Sequence, residues 1–235
     1  APLRANLDRS AIMCGRFALH HTTGEILERF SLDRSIVDLE PRYNIAPAQY
    51  LAVVLQRQQR TLEACKWGLV PFWSKDLKIG NRMINARSET LQQKTAYKNP
   101  LKYRRCLIPS SGFYEWNKRV NLRLPTYIYQ QDARPLGLAG LWEEWHAPGG
   151  ETLQSCTIIT TRANQFMRSI HHRMPVIFTP QQEEIWLDPS VQNPALLLPL
   201  LEPYPQRDLA AHPVSRQVNV PAFDEPSCIE PLEEN

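Results

Sequence analysis

Twenty prolines spread over 235 residues, against nine glycines, limit this chain more than any other feature. Proline fixes its own φ and removes a backbone donor, so a chain interrupted this often divides into short elements joined by stiff turns; a helical bundle is excluded. Runs rich in β-branched and aromatic residues fill the intervals. Phe17 to Leu19 reads as a strand, and Leu51 to Gln56 pairs with Thr61 to Val70 across the polar residues Arg57 to Arg60. Cys106–Pro109, Phe113–Asn117, Pro125–Tyr129, Leu136–Trp142 and Ser155–Thr161 read as an antiparallel meander, with later strands at Val176–Phe178 and Asp208–Ser215. Helices are expected after Thr22 or Thr23 through Phe30, from Leu91 to Tyr97 capped by Ser88 and closed by Pro100, from Asn164 to Ile170, and from Pro180 to Trp186 capped by Thr179. The expected fold is α+β: a single domain with an antiparallel, strand-rich, barrel-like core flanked by short helices. Its expected bounds are 13–222, with 1–12 an extension (a remnant, or a start placed too far upstream) and 223–235 an acidic tail.

Five cysteines, odd in number and without a Cys-x-x-Cys pair, fit neither a disulfide framework nor a zinc site and indicate a reducing compartment. Arg4, Asp8 and Arg9 break up the first residues, which do not read as a secretory signal, and the longest apolar run, around Ala195 to Leu201, is too short to span a membrane. A cytoplasmic location is expected. Charge is polarised. Between Lys75 and Arg105 there are nine basic residues and two acids, whereas Ala222 to Asn235 holds five acids and no base. The basic third, beginning beside Trp73, combines a stacking ring with phosphate-neutralising cations, as single-stranded nucleic acid requires; a solvated helix face and a core tryptophan would look the same.

Met13-Cys14-Gly15-Arg16-Phe17 carries the sharpest chemistry. Were Cys14 the first residue, its amine (pKa near ~8) and thiol (near ~8.5) would form a 1,2-aminothiol with a nucleophilic fraction of each at neutral pH. An aldehyde condenses with such an amine to an imine, and the thiolate closes a thiazolidine ring. Taken alone, Cys14 also fits a small buried apolar residue.

Six further motifs follow in order: Arg42-Tyr43-Asn44-Ile45-Ala46-Pro47, Trp67-Gly68-Leu69-Val70-Pro71, Ile84-Asn85-Ala86-Arg87-Ser88-Glu89, Gly112-Phe113-Tyr114-Glu115-Trp116, Ile170-His171-His172-Arg173-Met174-Pro175 and His212-Pro213-Val214-Ser215. The succession, from Met13 to about residue 220, resembles the SOS-response-associated peptidase (SRAP) family, whose members cap abasic sites in single-stranded DNA. The resemblance implies that Cys14 crosslinks to the ring-opened sugar aldehyde and that Asn85 positions it. It makes Glu115 the acid/base and His171 a second proton carrier. It places Arg16, Arg87 and Arg173 on phosphates or in site-ordering charge pairs, and Asn44, Pro47, Trp73, Trp116 and Thr160 in the DNA-facing shell. The expected partner is single-stranded DNA with abasic sites, bound by a monomer that joins the nucleoid when on DNA. Two positions depart from the pattern: Trp73 follows Phe72 rather than a second tryptophan, and His172 stands where an acid is common.

Two other classes compete. A cysteine peptidase would use Cys14 as nucleophile, His171 as base and Asn193 as orienter, and self-removal of the leader is compatible with aldehyde capture. A non-catalytic single-strand-binding module would need the basic face and Trp73 alone. No cofactor or metal is expected, because the His-His pairs at 20/21 and 171/172 lack zinc-motif spacing.

Overall fold

A computed structural model describes residues 14–116, 124–205 and 207–232. The extension before Cys14, the Asn117 end of one expected strand and the last three residues of the acidic tail lie outside the described residues. The described strands are β1 (Phe17–Leu19), β2 (Arg34–Ser35), β3 (Arg42–Ile45), β4 (Tyr50–Gln56), β5 (Arg60–Trp67), β6 (Asn85–Arg87), β7 (Arg105–Ser110), β8 (Gly112–Trp116), β9 (Pro125–Gln130), β10 (Leu136–His146), β11 (Thr152–Arg162), β12 (Arg173–Pro175), β13 (Ile177–Phe178) and β14 (Leu209–Pro213). The helices are α1 (Thr23–Arg29), α2 (Thr95–Tyr103), α3 (Pro180–Leu187) and α4 (Pro194–Leu197).

Five of these strands close a barrel. β5, β4, β7, β10 and β11 pair antiparallel in that order, and a short parallel contact, Ser155 opposite Lys66 and Cys156 opposite Trp67, joins β11 back to β5. β4 is buried from Leu51 to Leu55 without alternation, as expected of a strand covered on both faces. Gly140 marks how tightly the barrel is filled. A Cβ there would fall 2.3 Å from Ile108 Cδ1 and 2.7 Å from Cys106 Sγ. Three buried thiols, Cys65, Cys106 and Cys156, lie on barrel strands, and the Cys65 and Cys156 side chains are hydrogen-bonded.

A second sheet, in the order β14-β9-β8-β1-β3, holds both the first strand of the domain and the last, with β8 and β9 between them. The expected single meander is therefore divided: β7 belongs to the barrel and β8, only one residue later, to the second sheet. Ser110 and Ser111 make the crossing. The Ser110 hydroxyl accepts the Gly112 N–H at 3.1 Å, and Ser111 N–H donates to Ala18 O at 2.7 Å, so one local side-chain bond and one backbone bond to that residue of β1 take the place of the barrel ladder.

α1 and α3 begin with full capping boxes, Thr22 with Glu25 and Thr179 with Gln182, as their sequences indicate. Two other helices differ from expectation. Ser88 opens only a 3-10 turn, and α2 starts later and runs through Pro100 to Tyr103. Tyr97, Pro100 and Leu101 form its buried stripe, so packing outweighs proline's lost hydrogen bond. The expected helix from Asn164 to Ile170 shrinks to a 3-10 turn at Met167–Ser169, where Asn164 Oδ1 caps Met167 N–H at 2.9 Å.

The acidic end folds back onto the domain as far as Leu232, whose N–H donates to Pro213 O at 3.0 Å. Cys228 is buried with Ala18, Tyr114, Tyr127, Val214 and Val218 in a small core of its own. Among the described residues no helix is long and apolar enough to cross a membrane.

Candidate active site

The register of the second sheet assembles the site. β1 runs antiparallel to β8 with Phe17 opposite Phe113 and Ala18 opposite Gly112, so the residues ahead of β1 pass alongside the end of β8. Cys14 N–H thereby donates to Glu115 Oε1 at 2.9 Å. Both residues are almost fully buried, at 1% and 2% exposure. Cys14 adopts φ 42°, a left-handed conformation costing an ordinary residue about 1–2 kcal/mol. The buried hydrogen bond to Glu115 helps to hold it there.

The other carboxylate oxygen, Glu115 Oε2, lies 4.0 Å from His171 Nδ1. That nitrogen is also 3.2 Å from both the N and the O of Arg173. Deprotonated, it can accept the Arg173 N–H; protonated, it faces the Arg173 carbonyl and the Glu115 carboxylate, so either protonation state has somewhere to point. The turn before it is pinned by His171 N–H on Met167 O at 2.8 Å, and the His172 ring packs against His171 with centroids 4.3 Å apart.

Asn85 opens β6, which runs parallel to β11 with Ile158 opposite Asn85 and Thr160 opposite Arg87. The carbonyl of the preceding Ile84 accepts both Trp67 Nε1–H at 2.9 Å and Ile158 N–H at 3.1 Å, so the backbone entering Asn85 is anchored to the barrel. Thr160 is buried. Its carbonyl accepts an Arg173 N–H at 2.8 Å and its hydroxyl lies 3.2 Å from the same guanidinium nitrogen.

Burial and the nearby Glu115 charge, in that order, push the Cys14 thiol well above the ordinary range. The peptide value considered above belongs to a chain that begins at Cys14; with Cys14 inside the folded chain, its surroundings favour the protonated thiol.

The remaining sequence-predicted residues divide into those turned inward and those facing solvent. Arg16 is buried, donating to Asn44 Oδ1 at 2.6 Å and to the Val218 carbonyl. Asn44 is fully buried and donates from Nδ2 to the carbonyls of Val218, Val220 and Phe223. This pair therefore clamps the C-terminal segment. Trp116 is half-buried, with Nε1–H donating to Asn219 Oδ1 at 2.7 Å, and Pro47 sits half-buried in a turn. Trp73 is 49% exposed beside exposed Phe72, and Arg87 is exposed. Arg173 forms a two-pronged ion pair with Glu89, at 2.5 and 3.0 Å. Of the nine basic residues between Lys75 and Arg105, Arg104 is paired with Glu143, and Arg105 is buried against the carbonyls of Leu101, Lys102, Trp186 and Asp188. Asn193, the orienter in the peptidase reading, spends its side-chain oxygen capping α4 on Ala195 N–H at 3.0 Å.

Two structural contributors escaped sequence reasoning. Asp224 accepts the backbone N–H groups of Tyr43 at 2.5 Å and Asn44 at 2.8 Å, and also pairs with Arg42. Glu89 occupies Arg173. The first was hidden inside an acidic run that reads as a tail; the second stood within the Asn85 motif, where its charge could have been matched to a buried arginine.

The family described as SOS response associated peptidase (SRAP) matches residues 13–221. The chain belongs to the SRAP family. Its SRAP relatives include the abasic site processing protein YoqW of Bacillus subtilis (strain 168), 43% identical over 223 residues, which are 93% of this chain and 99% of that protein. The abasic site processing protein HMCES of Gallus gallus is 35% identical over 226 residues, covering 82% of this chain and 67% of its own. A crystal structure of a protein from Bacteroides thetaiotaomicron shares the SRAP chain's fold, with a TM-score of 0.85 at 26% identity, covering 94% of this chain and 100% of that one.

Proposed function

We propose that this SRAP protein captures abasic sites in single-stranded DNA as a covalent thiazolidine, once Cys14 has become the first residue. The observation that carries the reading is the 2.9 Å hydrogen bond from the Cys14 backbone nitrogen to Glu115. Freed of the preceding residue, that nitrogen is an α-amine with a carboxylate already on it. The names of the curated relatives, abasic site processing proteins, support the choice of substrate.

The chemistry follows from the arrangement. Glu115 takes the proton of the Cys14 ammonium, leaving a neutral amine to attack the C1′ aldehyde of the ring-opened sugar. The carbinolamine loses water as the protonated Glu115 returns its proton to the departing hydroxyl. The Cys14 sulfur then adds to the imine carbon and closes the five-membered ring; its proton passes to the imine nitrogen through Glu115 or His171. Burial and the Glu115 charge both oppose early loss of the thiol proton, so the proton leaves as the sulfur adds to the imine carbon rather than before. Asn85 orients the aldehyde from the anchored start of β6, while Arg87, Arg173 and exposed Trp73 meet the flanking phosphates and bases. An abasic nucleotide has no base to read, so selection rests on the aldehyde and the single strand.

The peptidase reading draws less support. A thiolate nucleophile needs its pKa lowered, and here burial and a neighbouring carboxylate act in the opposite direction. Leader removal by the protein itself stays compatible with capture.

Intact mass after denaturation tests the proposal, comparing the full chain with protein beginning at Cys14, each incubated with single-stranded DNA carrying one abasic site. The expected result is an adduct only on the form that begins at Cys14. No adduct on either form would overturn the proposal, and an adduct on a chain that retains its leader would move the nucleophile elsewhere.

A further inference from the structure

Arg173 is the best-placed cation beside the proposed reaction centre, yet in the folded chain it is covered by an acid. It stands two residues from His171, holds Thr160 through its carbonyl and hydroxyl, and has a largely buried side chain. Its two terminal nitrogens meet Glu89 Oε1 and Oε2 at 2.5 and 3.0 Å. Two oxygens of one anion on the edge of a guanidinium is also how a phosphate binds arginine. The two partners differ in kind. Arg173 is fixed by the barrel strand, whereas the Glu89 side chain is half exposed on a 3-10 turn of three residues, the segment that directly follows Asn85 and Arg87. Arg173 Nε, moreover, is buried with no hydrogen-bond partner, so the guanidinium is not fully satisfied in this arrangement.

We infer that Glu89 is a displaceable anion, seated on Arg173 in the free protein and exchanged for a DNA phosphate when a strand enters. The inference rests on the reading of this site as one for abasic DNA. The exchange releases the more exposed, more easily rehydrated partner and keeps the fixed one. Its consequence is discrimination against passing strands: a strand must replace an existing ion pair before it gains the Arg173 contact, so undamaged single strands are held weakly. A strand whose aldehyde is trapped by Cys14 has time to complete the exchange. A fixed Glu89 that merely positions Arg173 would have the opposite effect on binding when removed.

The test uses fluorescence anisotropy with labelled undamaged single-stranded DNA across a salt series, comparing wild type, Glu89→Gln and Glu89→Asp, with thermal melts to verify folding. Glu89→Gln is expected to bind about threefold to tenfold more tightly, the effect of removing one partly exposed competing charge, and with a steeper salt dependence, by up to about 0.7 in log–log slope. Glu89→Asp keeps the charge and is expected to stay close to wild type. Glu89→Gln binding that is unchanged or weaker would overturn the inference. Intact-mass assay of wild type beginning at Cys14 with abasic DNA separates the two levels: an adduct without a Glu89→Gln gain sinks the exchange alone, and no adduct removes both.

Discussion

Two buried cysteines, Cys14 and Cys106, look alike by accessibility and differ in everything that gives a sulfur chemistry. Burial raises both thiols, and in each case it is the larger cause. The second cause separates them: for Cys106 it is another thiol, Cys65, inside a barrel packed so closely that Gly140 has no room for a methyl group, and for Cys14 it is the Glu115 carboxylate. Neither sheet is purely apolar inside. The barrel strands bury Glu63, Arg105 and Glu143. The β14-β9-β8-β1-β3 sheet buries Arg16, Asn44 and Glu115 among hydrogen-bond partners. Burial alone therefore does not mark a functional cysteine; the polarity of what each is buried against separates these two.

Substitutions that exchange the two regions' roles can break this comparison. The largest effect is expected from Trp67→Ala. Its indole is buried in the barrel, meets Phe17 edge-on at a centroid distance of 5.4 Å and anchors Ile84, so a loss of about 3–5 kcal/mol should appear in denaturant unfolding. A loss below 1 kcal/mol would show that the barrel is not the stabilising half. Next comes Glu115→Gln, which should slow abasic-site capture by about 10²-fold or more while leaving the unfolding midpoint near wild type; quenched time courses with protein beginning at Cys14 would measure it. Unchanged capture would remove Glu115 from the acid/base role. Asn44→Ala should lower stability by about 1–3 kcal/mol, because it removes hydrogen bonds to the carbonyls of Val218, Val220 and Phe223 and one partner of the Arg16 guanidinium. Should it instead abolish DNA binding at full stability, the polar sheet would be a DNA surface rather than a clamp.

The smallest effect concerns pH. Partial burial raises the Glu89 carboxyl, but the hydrogen bond and charge of Arg173 outweigh it and the net shift is downward from 4.5. A carboxylate depressed on folding contributes stability that is complete above its unfolded value and is lost as pH falls through the folded one. Half-exposed as it is, its share is about 0.3–0.5 kcal/mol. Unfolding of Glu89→Gln should differ from wild type by this much at pH 6 and converge with it at pH 3. A difference that persists at pH 3 would mean that the pair matters through packing.

Much of the fold was legible because it is local. Capping boxes at Thr22 and Thr179, the β4–β5 hairpin and the short runs of β7 to β11 are written in adjacent residues. What was not legible is long-range. The parallel contact that closes the barrel joins residues about ninety positions apart, and nothing in the spacing of Ser110 and Ser111 announces a change of sheet. The candidate site shows the same division. Cys14, Asn85, Glu115 and His171 could be named from motifs, but a motif carries no sign of which side a guanidinium faces. Arg16 and Arg173 read alike, as phosphate ligands or as members of site-ordering charge pairs, and the structure turns the first inward to Val218 and sets an acid on the second. Pro100 failed as a helix stop for a related reason: its effect on α2 depended on a buried stripe that only the folded chain provides.

Asp224 and the carbonyl of Val218 lie more than two hundred positions after Cys14, and they hold Asn44 and Arg16, the latter two residues beyond that cysteine. Translation proceeds from the other end. A nascent chain still emerging from the ribosome has already exposed Cys14 but lacks the strand and strap that set its neighbours in place, so a prematurely terminated product carries the sulfur without its setting. The polar clamp around Arg16 and Asn44 therefore closes only after nearly the whole chain has been made.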